Sequence, residues 1–174
     1  MIEVFQTNLP GVLKIRRKVS EDLRGVYAEI YRRKDYFDSG IIVDFEKGED
    51  DASTSKKGSL RGLHGDERTY KLVCCTFGEL LLVVVNYDET SDYFGKWEAF
   101  ALTDRNGLQV LIPPKHLNGH LILSERGGTF HYKQSACYSG AENQWSVRWN
   151  DRRFKISWPI TNPILSVRDG GRRL

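Results

Sequence analysis

The chain has 174 residues, of which 40% are hydrophobic, and a formal net charge of +3, values that fit one folded domain spanning residues 1–174. No run approaches the roughly 18 apolar residues of a membrane span, residues 1–20 hold no apolar signal core, and the three cysteines give no disulfide framework, so we predict a cytoplasmic protein. The scattered basic residues lack interleaved aromatics, which argues against a nucleic-acid partner but suits a small anionic ligand.

Short apolar runs separated by turn residues follow one another along the chain and predict a structure built mostly of strands. We predict a strand at 26–31, a short helix at 32–37, and a mobile surface loop at 46–58, where apolar residues are almost absent. Further strands are predicted at 72–75, 80–86, 97–102, 109–112, 119–123 and 129–133. This spacing indicates an all-β sandwich, jelly roll or barrel with a few short peripheral helices and a tail at 170–174.

The segment 60–75 concentrates three side chains suited to chemistry on an anionic substrate, namely Arg61, His64 and Lys71. Because histidine titrates nearest neutrality, His64 is the leading candidate for proton transfer. The alternative is a buried histidine with a structural role, with Arg61 and Lys71 at the surface. The rest of the chain has to decide between these two interpretations.

Segment 113–120 places His116, Asn118 and His120 at a spacing of two, so on a strand these side chains would share one face. Two histidines at that spacing fit half of a metal site. No carboxylate follows shortly after them, however, so we predict that no metal is bound.

Two further side chains are ambiguous when each is considered alone. Tyr132 lies on a predicted strand, where a tyrosine is either a proton donor or a packed aromatic with its hydroxyl satisfied. Asp169 either orients a histidine, as carboxylates do in catalytic dyads, or is a surface carboxylate near the C-terminus. Spacing alone favours the surface interpretation for Asp169.

Short motifs occur in a fixed order through most of the chain. They are DLRG from Asp22, LRGLH from Leu60, KLV from Lys71, GE from Gly78, FGKW from Phe94, IP from Ile112, LS from Leu123, YK from Tyr132, WND from Trp149, WP from Trp158 and LSVRD from Leu165. Together they resemble the dTDP-4-dehydrorhamnose 3,5-epimerase family, whose members are cupin-type jelly rolls, or double-stranded β-helices. Each motif is weak, but their order and spacing are specific.

The resemblance implies an isomerase that inverts C3, C5 or both of a nucleotide-linked 4-keto-6-deoxy sugar, acting as a homodimer without a cofactor. It implies that His64 is the base, that Asp169 orients His64, and that Lys71 stabilises the enolate. Tyr132 would then return a proton to the opposite face of the sugar. The resemblance also implies substrate-binding roles for Arg24, Glu29, Arg61, Asn118 and His120, with the two arginines on the diphosphate.

One departure from the family concerns the nucleotide. The Gln-x-Asn element of thymidine-specific members is not recognisable at 49–54, whereas HGD, TYKLV and PP…NGH resemble epimerases of GDP-4-keto-heptoses in capsule biosynthesis. The motifs therefore favour a GDP-heptose substrate, with a dTDP-hexose as the alternative. From other classes, a metal-dependent cupin and a cupin that binds a nucleotide sugar without turnover stay open.

Overall fold

The computed structural model describes residues 2–170, and within them it has thirteen strands, one α-helix and one 3₁₀ helix. The strands are β1 (Glu3–Gln6), β2 (Leu13–Arg16), β3 (Val19–Asp22), β4 (Gly25–Ala28), β5 (Glu49–Ser55), β6 (Leu60–Gly65), β7 (Lys71–Phe77), β8 (Glu79–Asn86), β9 (Trp97–Thr103), β10 (Leu108–Ile112), β11 (His116–Ile122), β12 (Gly128–Gln134) and β13 (Trp145–Ser146). The helix α1 is Arg33–Asp38, and the 3₁₀ helix is Ala141–Asn143. Apart from Gly170, the predicted tail at 170–174 lies outside the described residues.

Two antiparallel sheets pack face to face. The six-stranded sheet has the order β1-β2-β10-β7-β12-β5, and the five-stranded sheet has the order β13-β6-β11-β8-β9. Val73 and Phe130 from the first sheet and Leu82 and Phe100 from the second meet in one buried apolar cluster. This is the packing of a β-sandwich core, and it confirms the all-β prediction.

The inner strand β8 shows why the apolar runs were easy to recognise. Its even-numbered leucines and valine pack into the core between the sheets, whereas Val83 and Val85 pack against a second buried cluster on the other face. A strand covered on both faces is apolar almost throughout, so it is visible in the sequence without any alternation.

The outer face of the six-stranded sheet is covered by the segment that contains α1. Tyr36, Ile41 and Phe45 pack there against Leu72 and Leu111. The short helix predicted at 32–37 is confirmed within one residue, and no helix in residues 2–170 is long and apolar enough to cross a membrane.

The strand predicted at 26–31 is too long. β4 ends at Ala28 and pairs only with β3, forming a separate hairpin. Beyond it, the carbonyl of Ile30 accepts a hydrogen bond at 2.9 Å from the Gln109 side chain instead of joining a strand ladder.

The mobile loop predicted at 46–58 is wrong. Seven of its residues form β5, which pairs residue by residue with β12 and closes one edge of the six-stranded sheet. Glu49, Asp51 and Ser53 are half-buried, and the residues between them are exposed. Because the inward-facing side chains are polar, the strand has a period of two in burial but none in hydropathy, and the sequence pattern misses it.

Candidate active site

A pocket of about 460 Å³ lies between the two sheets. One wall comes from β5, β7 and β12 of the six-stranded sheet, and the other comes from β6 and β11 of the five-stranded sheet. Residues 166–169 of the C-terminal segment complete it. The lining includes seven of the nine residues predicted for the site, namely Arg61, His64, Lys71, Asn118, His120, Tyr132 and Asp169.

His64 and Asp169 form a direct pair although 105 positions separate them. The imidazole Nε2 lies 2.7 Å from Asp169 Oδ1, and the other carboxylate oxygen accepts a hydrogen bond at 2.8 Å from the Ser166 hydroxyl. An ionised carboxylate only accepts, so Nε2 carries the proton and Nδ1 keeps its lone pair. No described residue forms a hydrogen bond with Nδ1. Because His64 lines the pocket, this atom is available to act as a base on a bound ligand.

The electrostatics of Asp169 support the ionised form. Burial acts to raise the pKa of this carboxyl, but the hydrogen bonds from His64 and Ser166 outweigh burial, and the pKa lies below its usual value. Asp169 therefore stays an anion at neutral pH and fixes the orientation of the His64 ring.

Steric crowding explains why the RGLH motif contains a glycine. Gly62 has φ +109°, and a Cβ there would lie 2.6 Å from the backbone oxygen of Asn118. Only glycine fits so close to the neighbouring strand at that φ. The close approach brings β6 against an irregularity in β11, where Asn118 pairs with His64 and His120 pairs with Arg61.

Lys71 is a cation held inside the pocket wall. It is 8% exposed, and its Nζ donates a hydrogen bond at 3.2 Å to Asn118 Oδ1. Burial lowers its pKa, and the positive charge of Arg168 lowers it further, against the opposing effect of Asp66. No carboxylate among the described residues pairs with Lys71, so an anion bound in the pocket would relieve the cost of burying its charge.

Tyr132 lies on β12, in the sheet opposite to the one that carries His64. Burial raises the pKa of its phenol, and the negative charge of Asp51 adds to this effect. Because its pKa is raised, the hydroxyl stays protonated at neutral pH. No described residue forms a hydrogen bond with it, so it is free to donate to a ligand in the pocket.

His120 is buried beside the proposed base. Its ring stacks on Phe130 at a centroid distance of 4.1 Å, and it is 4% exposed. Burial, reinforced by the charges of Arg61 and His64, lowers the pKa of His120 to about 3, so the ring is neutral. Its Nε2 has no hydrogen-bond partner among residues 2–170.

Two predicted substrate-binding residues do not line the pocket. Arg24 sits at the turn of the β3–β4 hairpin, with its side chain 90% exposed and paired with Asp22. Glu29, just beyond the hairpin, pairs with Arg32 at 2.6 Å. Within one chain the structure therefore does not bring either residue to His64.

The spacing of His116 and His120 does not assemble a metal half-site. His116 lies outside the pocket lining, where its ring nitrogens are 3.3 Å from Asn86 Nδ2 and 3.0 Å from the Pro114 carbonyl oxygen. Among the residues that the structure describes, no group of three or more His, Cys, Asp or Glu side chains is arranged to hold a metal.

Sequence reasoning missed several pocket residues. The clearest are Glu49 and Asp51 on β5 and Gln134 on β12, which share the pocket-facing side of these strands with Tyr132. Gln134 follows Tyr132 by two positions, so the period of a strand identifies it once Tyr132 is placed. Glu49 and Asp51 lie in the segment predicted as a loop, to which the period of a strand does not apply. The remainder are Ser53, Phe130, Tyr138, Gln144, Ser166 and Arg168.

Comparison with known proteins agrees with this arrangement. The family model for dTDP-4-dehydrorhamnose 3,5-epimerase matches residues 6–173. A dTDP-4-dehydrorhamnose 3,5-epimerase of Shigella flexneri is 36% identical over 171 residues, which cover 97% of this chain and 93% of that protein.

Solved structures show the same fold. The dTDP-6-deoxy-D-glucose-3,5-epimerase RmlC of Legionella pneumophila, in complex with dTDP-4-keto-L-rhamnose, matches with a TM-score of 0.88 at 31% identity, over 98% of this chain and 90% of that chain. ChmJ, a 3′-monoepimerase of Streptomyces bikiniensis in complex with dTDP-quinovose, matches with a TM-score of 0.86 at 27% identity, over 94% and 83% of the two chains. The cupin-type jelly roll is thereby confirmed. The chain belongs to the dTDP-4-dehydrorhamnose 3,5-epimerase family and is an isomerase, an epimerase of nucleotide sugars.

Proposed function

We propose that this epimerase inverts C3, C5 or both of a nucleoside-diphosphate-linked 4-keto-6-deoxy sugar through an enolate. The observation that carries the proposal is the His64–Asp169 pair on one wall of the pocket, with Tyr132 on the opposite sheet. A base and an acid on opposite sides of a sugar are what an inversion needs. The proposed mechanism uses these side chains, Lys71 and the ketone of the substrate.

The first step is removal of a proton from the carbon next to the ketone. Nδ1 of His64 takes the proton, and the electron pair of the C–H bond moves into the ring to give an enolate with its charge on the C4 oxygen. His64 becomes an imidazolium, which the anionic Asp169 stabilises at 2.7 Å.

Lys71 stabilises the enolate. Its ammonium group is buried and already held by Asn118, so it needs little reorganisation when charge develops on the substrate oxygen. The enolate in turn favours the charged form of Lys71, which burial alone disfavours.

Tyr132 completes the inversion by donating its phenolic proton to the opposite face of the enolate. The ketone re-forms, the configuration at that carbon is reversed, and the enzyme is left with an imidazolium at His64 and a phenolate at Tyr132. Both return to their starting forms by proton exchange with solvent. Hydrogen from water is therefore incorporated at each carbon that is inverted.

We propose further that the diphosphate lies against Arg61 and that the enzyme is a homodimer. Arg61 is exposed at the pocket, where its Nε donates a hydrogen bond to Ser55 at 3.0 Å and other guanidinium donors remain for phosphate oxygens. In the described chain the β3–β4 hairpin carries exposed Leu23 and Tyr27. A hairpin of this kind, reaching into a partner's pocket, would bring Arg24 and Glu29 to the nucleotide as the family resemblance implies.

Mixing two inactive variants tests the dimer. His64→Asn removes the base and Arg24→Ala removes the cation on the hairpin. If each site uses His64 of one subunit and Arg24 of the other, mixed dimers contain one intact site, and activity returns on mixing. Absence of any recovery in proven mixed dimers would place Arg24 outside the shared site.

The relatives put a dTDP-linked sugar first among substrates. The Shigella flexneri protein is named for dTDP-4-dehydrorhamnose, and the two solved structures above hold dTDP sugars. None of these relatives supports the GDP-heptose substrate that the motifs favour, and this stays the second candidate. The observation that favours this second candidate is the pair of carboxylates, Glu49 and Asp51, in the segment where thymidine-specific members have the Gln-x-Asn element.

Incubation of the protein with dTDP- and GDP-linked 4-keto-6-deoxy sugars in deuterated water tests the reaction itself. We expect deuterium at C3, C5 or both by NMR, and no incorporation with His64→Asn. The two carbons must be read separately because the structural relatives include both 3,5-epimerases and a 3′-monoepimerase. If the folded wild-type protein bound these sugars without any exchange, it would be a cupin that binds a nucleotide sugar without turnover.

A further inference from the structure

A second cavity, of about 400 Å³, lies between the β3–β4 hairpin and the end of β7. No residue lines both this cavity and the candidate active site. Three arginines face it, namely Arg17 from the end of β2, Arg105 from the turn after β9 and Arg126 from the turn after β11. Its volume falls in the range of small-molecule sites, and its cations have no role in the proposed reaction.

Arg17 is a buried cation without a partner. It is 7% exposed, its Nε has no hydrogen-bond partner, and no ion pair among residues 2–170 includes it. A guanidinium keeps its charge in a protein, and a buried charge is normally paired because burial without a partner is costly. An unpaired charge at the wall of a cavity therefore points to an anion that comes from outside the chain.

The backbone of Arg17 is held firmly in place. Its N–H donates a hydrogen bond at 3.0 Å to the carbonyl of Gly107. Gly107 has φ +64°, and a Cβ there would lie 2.6 Å from the backbone oxygen of Arg17, so the two segments are in close contact. The cation is thus positioned before a ligand arrives, which reduces the ordering cost of binding.

The charges around the cavity do not cancel. Arg105 pairs with Glu21 of the hairpin at 2.7 Å, and Arg126 lies 4.0 Å from Asp104. Three arginines therefore face two carboxylates, and the excess positive charge is that of Arg17, which is more buried than the other two arginines. The cavity attracts an anion towards its inner wall.

The donors and the apolar wall define the class of ligand. A forked guanidinium matches phosphate oxygens, and the hydroxyl of Thr76, which forms no hydrogen bond with residues 2–170, is a further donor. A phosphoryl group has three acceptor oxygens and carries about −1.5 to −2 charges at pH 7, so it satisfies more donors than a carboxylate. Val26, Ala28, Ile30 and Phe77 form apolar wall that phosphate alone would leave uncovered.

We infer that this cavity binds a phosphomonoester, with the phosphoryl group on Arg17 and the organic group against β4 and Phe77. Arg126, whose guanidinium lies 5.0 Å from the centre of the Phe77 ring, closes the site from the rim. The inference goes beyond the proposed function, because it uses none of the residues that line the candidate active site.

Calorimetric titration in a buffer free of phosphate and sulfate is the first test. The probes are phenyl phosphate, inorganic phosphate and benzoate. We expect phenyl phosphate to bind most tightly, because it combines the phosphoryl group with apolar contact. Absence of binding by both phosphates, or binding of benzoate at least as tight, overturns the inference. Equal affinity for the two phosphates overturns its organic part.

Variants then locate the site. Arg17→Gln should weaken phenyl phosphate binding about tenfold or more, because charged hydrogen bonds to the phosphoryl group are lost. Arg16→Gln is the matched control, since the neighbouring Arg16 is exposed and lies 3.9 Å from Glu3. Glu21→Gln should instead tighten binding, because a negative charge beside the cavity is removed. Unchanged affinity in folded Arg17→Gln overturns the inference.

Arg126→Gln keeps the test open if Arg17→Gln does not fold. Arg126 is exposed at the rim, so its loss should weaken phenyl phosphate binding severalfold without affecting the fold. An unchanged affinity in this variant, when Arg17→Gln cannot be measured, counts against the inference.

Arg61→Ala separates the two anion sites. It removes the arginine proposed for the diphosphate and should leave binding at Arg17 intact. Loss of phenyl phosphate binding in Arg61→Ala with retention in Arg17→Gln would put the phosphoryl group in the candidate active site and overturn the inference. Sedimentation provides the other check. If Arg17→Gln alters the oligomeric state and the wild type binds no phosphate, a second copy of the chain supplies the anion, which also overturns it.

Discussion

The pocket and the outer face of the six-stranded sheet carry the same four kinds of side chain. The pocket has His64, Lys71, Tyr132 and Asp169, and the outer side has His131, Lys133, Tyr36 and Asp50. On the outer side the polar groups bond to one another. His131 lies 3.4 Å from Asp50 and 3.8 Å from the Cys74 sulfur, Lys133 also pairs with Asp50, and the Tyr36 hydroxyl bonds to Gln109.

In the pocket, by contrast, each of the two groups proposed to move protons has a functional atom without a partner among the described residues. The Nδ1 atom of His64 and the hydroxyl of Tyr132 form no hydrogen bond with described residues. A histidine–aspartate pair therefore does not by itself indicate catalysis. What distinguishes the two sites is whether the pair leaves a reactive atom open to a ligand.

The largest expected effect separates the two histidines. His64→Asn should reduce deuterium exchange at C3 and C5 by on the order of a hundredfold or more, because the general base is lost. His131→Asn should leave exchange unchanged. Circular dichroism and a melting curve check that both proteins fold, and near-normal exchange in folded His64→Asn would exclude His64 as the base.

The second comparison concerns the lysines. Lys71→Met should lower exchange about a hundredfold, because the buried cation at the enolate is lost. It should not reduce stability, since a charge that burial disfavours is replaced by an apolar side chain. Lys133→Met, which removes an ion pair with Asp50, should show the opposite pattern of normal exchange and equal or lower stability.

The stability of Lys71→Met also has a pH dependence with a definite sign. The pKa of Lys71 is lowered in the folded state, so the cost of burying its charge is complete below that pKa, fades as pH rises through it, and is absent above the unfolded value. The advantage of the Lys71→Met variant over the wild type in the free energy of unfolding should therefore be largest near neutral pH and vanish in alkali. Denaturant titrations at several pH values measure it, and a growing advantage in alkali would contradict the burial of a charged lysine.

The third comparison concerns the carboxylates. Asp169→Asn should slow exchange about tenfold to a hundredfold with little change in KM, because His64 loses the acceptor that fixes its tautomer. Asp50→Asn should not affect the rate. Initial-rate kinetics of both variants decide this, and equal losses in the two would mean that Asp169 acts only through stability.

The smallest effect separates the tyrosines. Tyr132→Phe should retain exchange at the first carbon deprotonated while lowering net inversion about tenfold, because only the returning proton is lost. Tyr36→Phe removes a buried hydroxyl bonded to Gln109 and should cost about 1 kcal/mol of stability with normal inversion. Inversion by Tyr132→Phe at the wild-type rate would leave Tyr132 as a packing residue.

How much the sequence predicted depends on what each residue packs against. β8 was recognised because both of its faces are buried in apolar clusters. β5 was not, since its inward side chains are polar and carry no hydrophobic signal. Strand propensity and spacing therefore predict the body of the sandwich better than its pocket wall.

The site shows the same division. Nothing local in the sequence connects His64 to Asp169 across 105 positions, and only the family resemblance proposed the pair. The places of Arg24 and Glu29 cannot be read from one chain if a second subunit supplies them. Glu49 and Asp51 were missed because a polar strand was taken for a loop.

The position of β5 at the sheet edge has a consequence for how such enzymes diverge. β5 is bonded to one neighbour, β12, and its inward side chains contribute nothing to the apolar cluster between the sheets. Substitutions at 49 and 51 therefore leave the core and the His64–Asp169 pair intact. Descendants of one ancestral epimerase can therefore alter the polar lining of the pocket through this strand while inheriting the base and its orienting carboxylate.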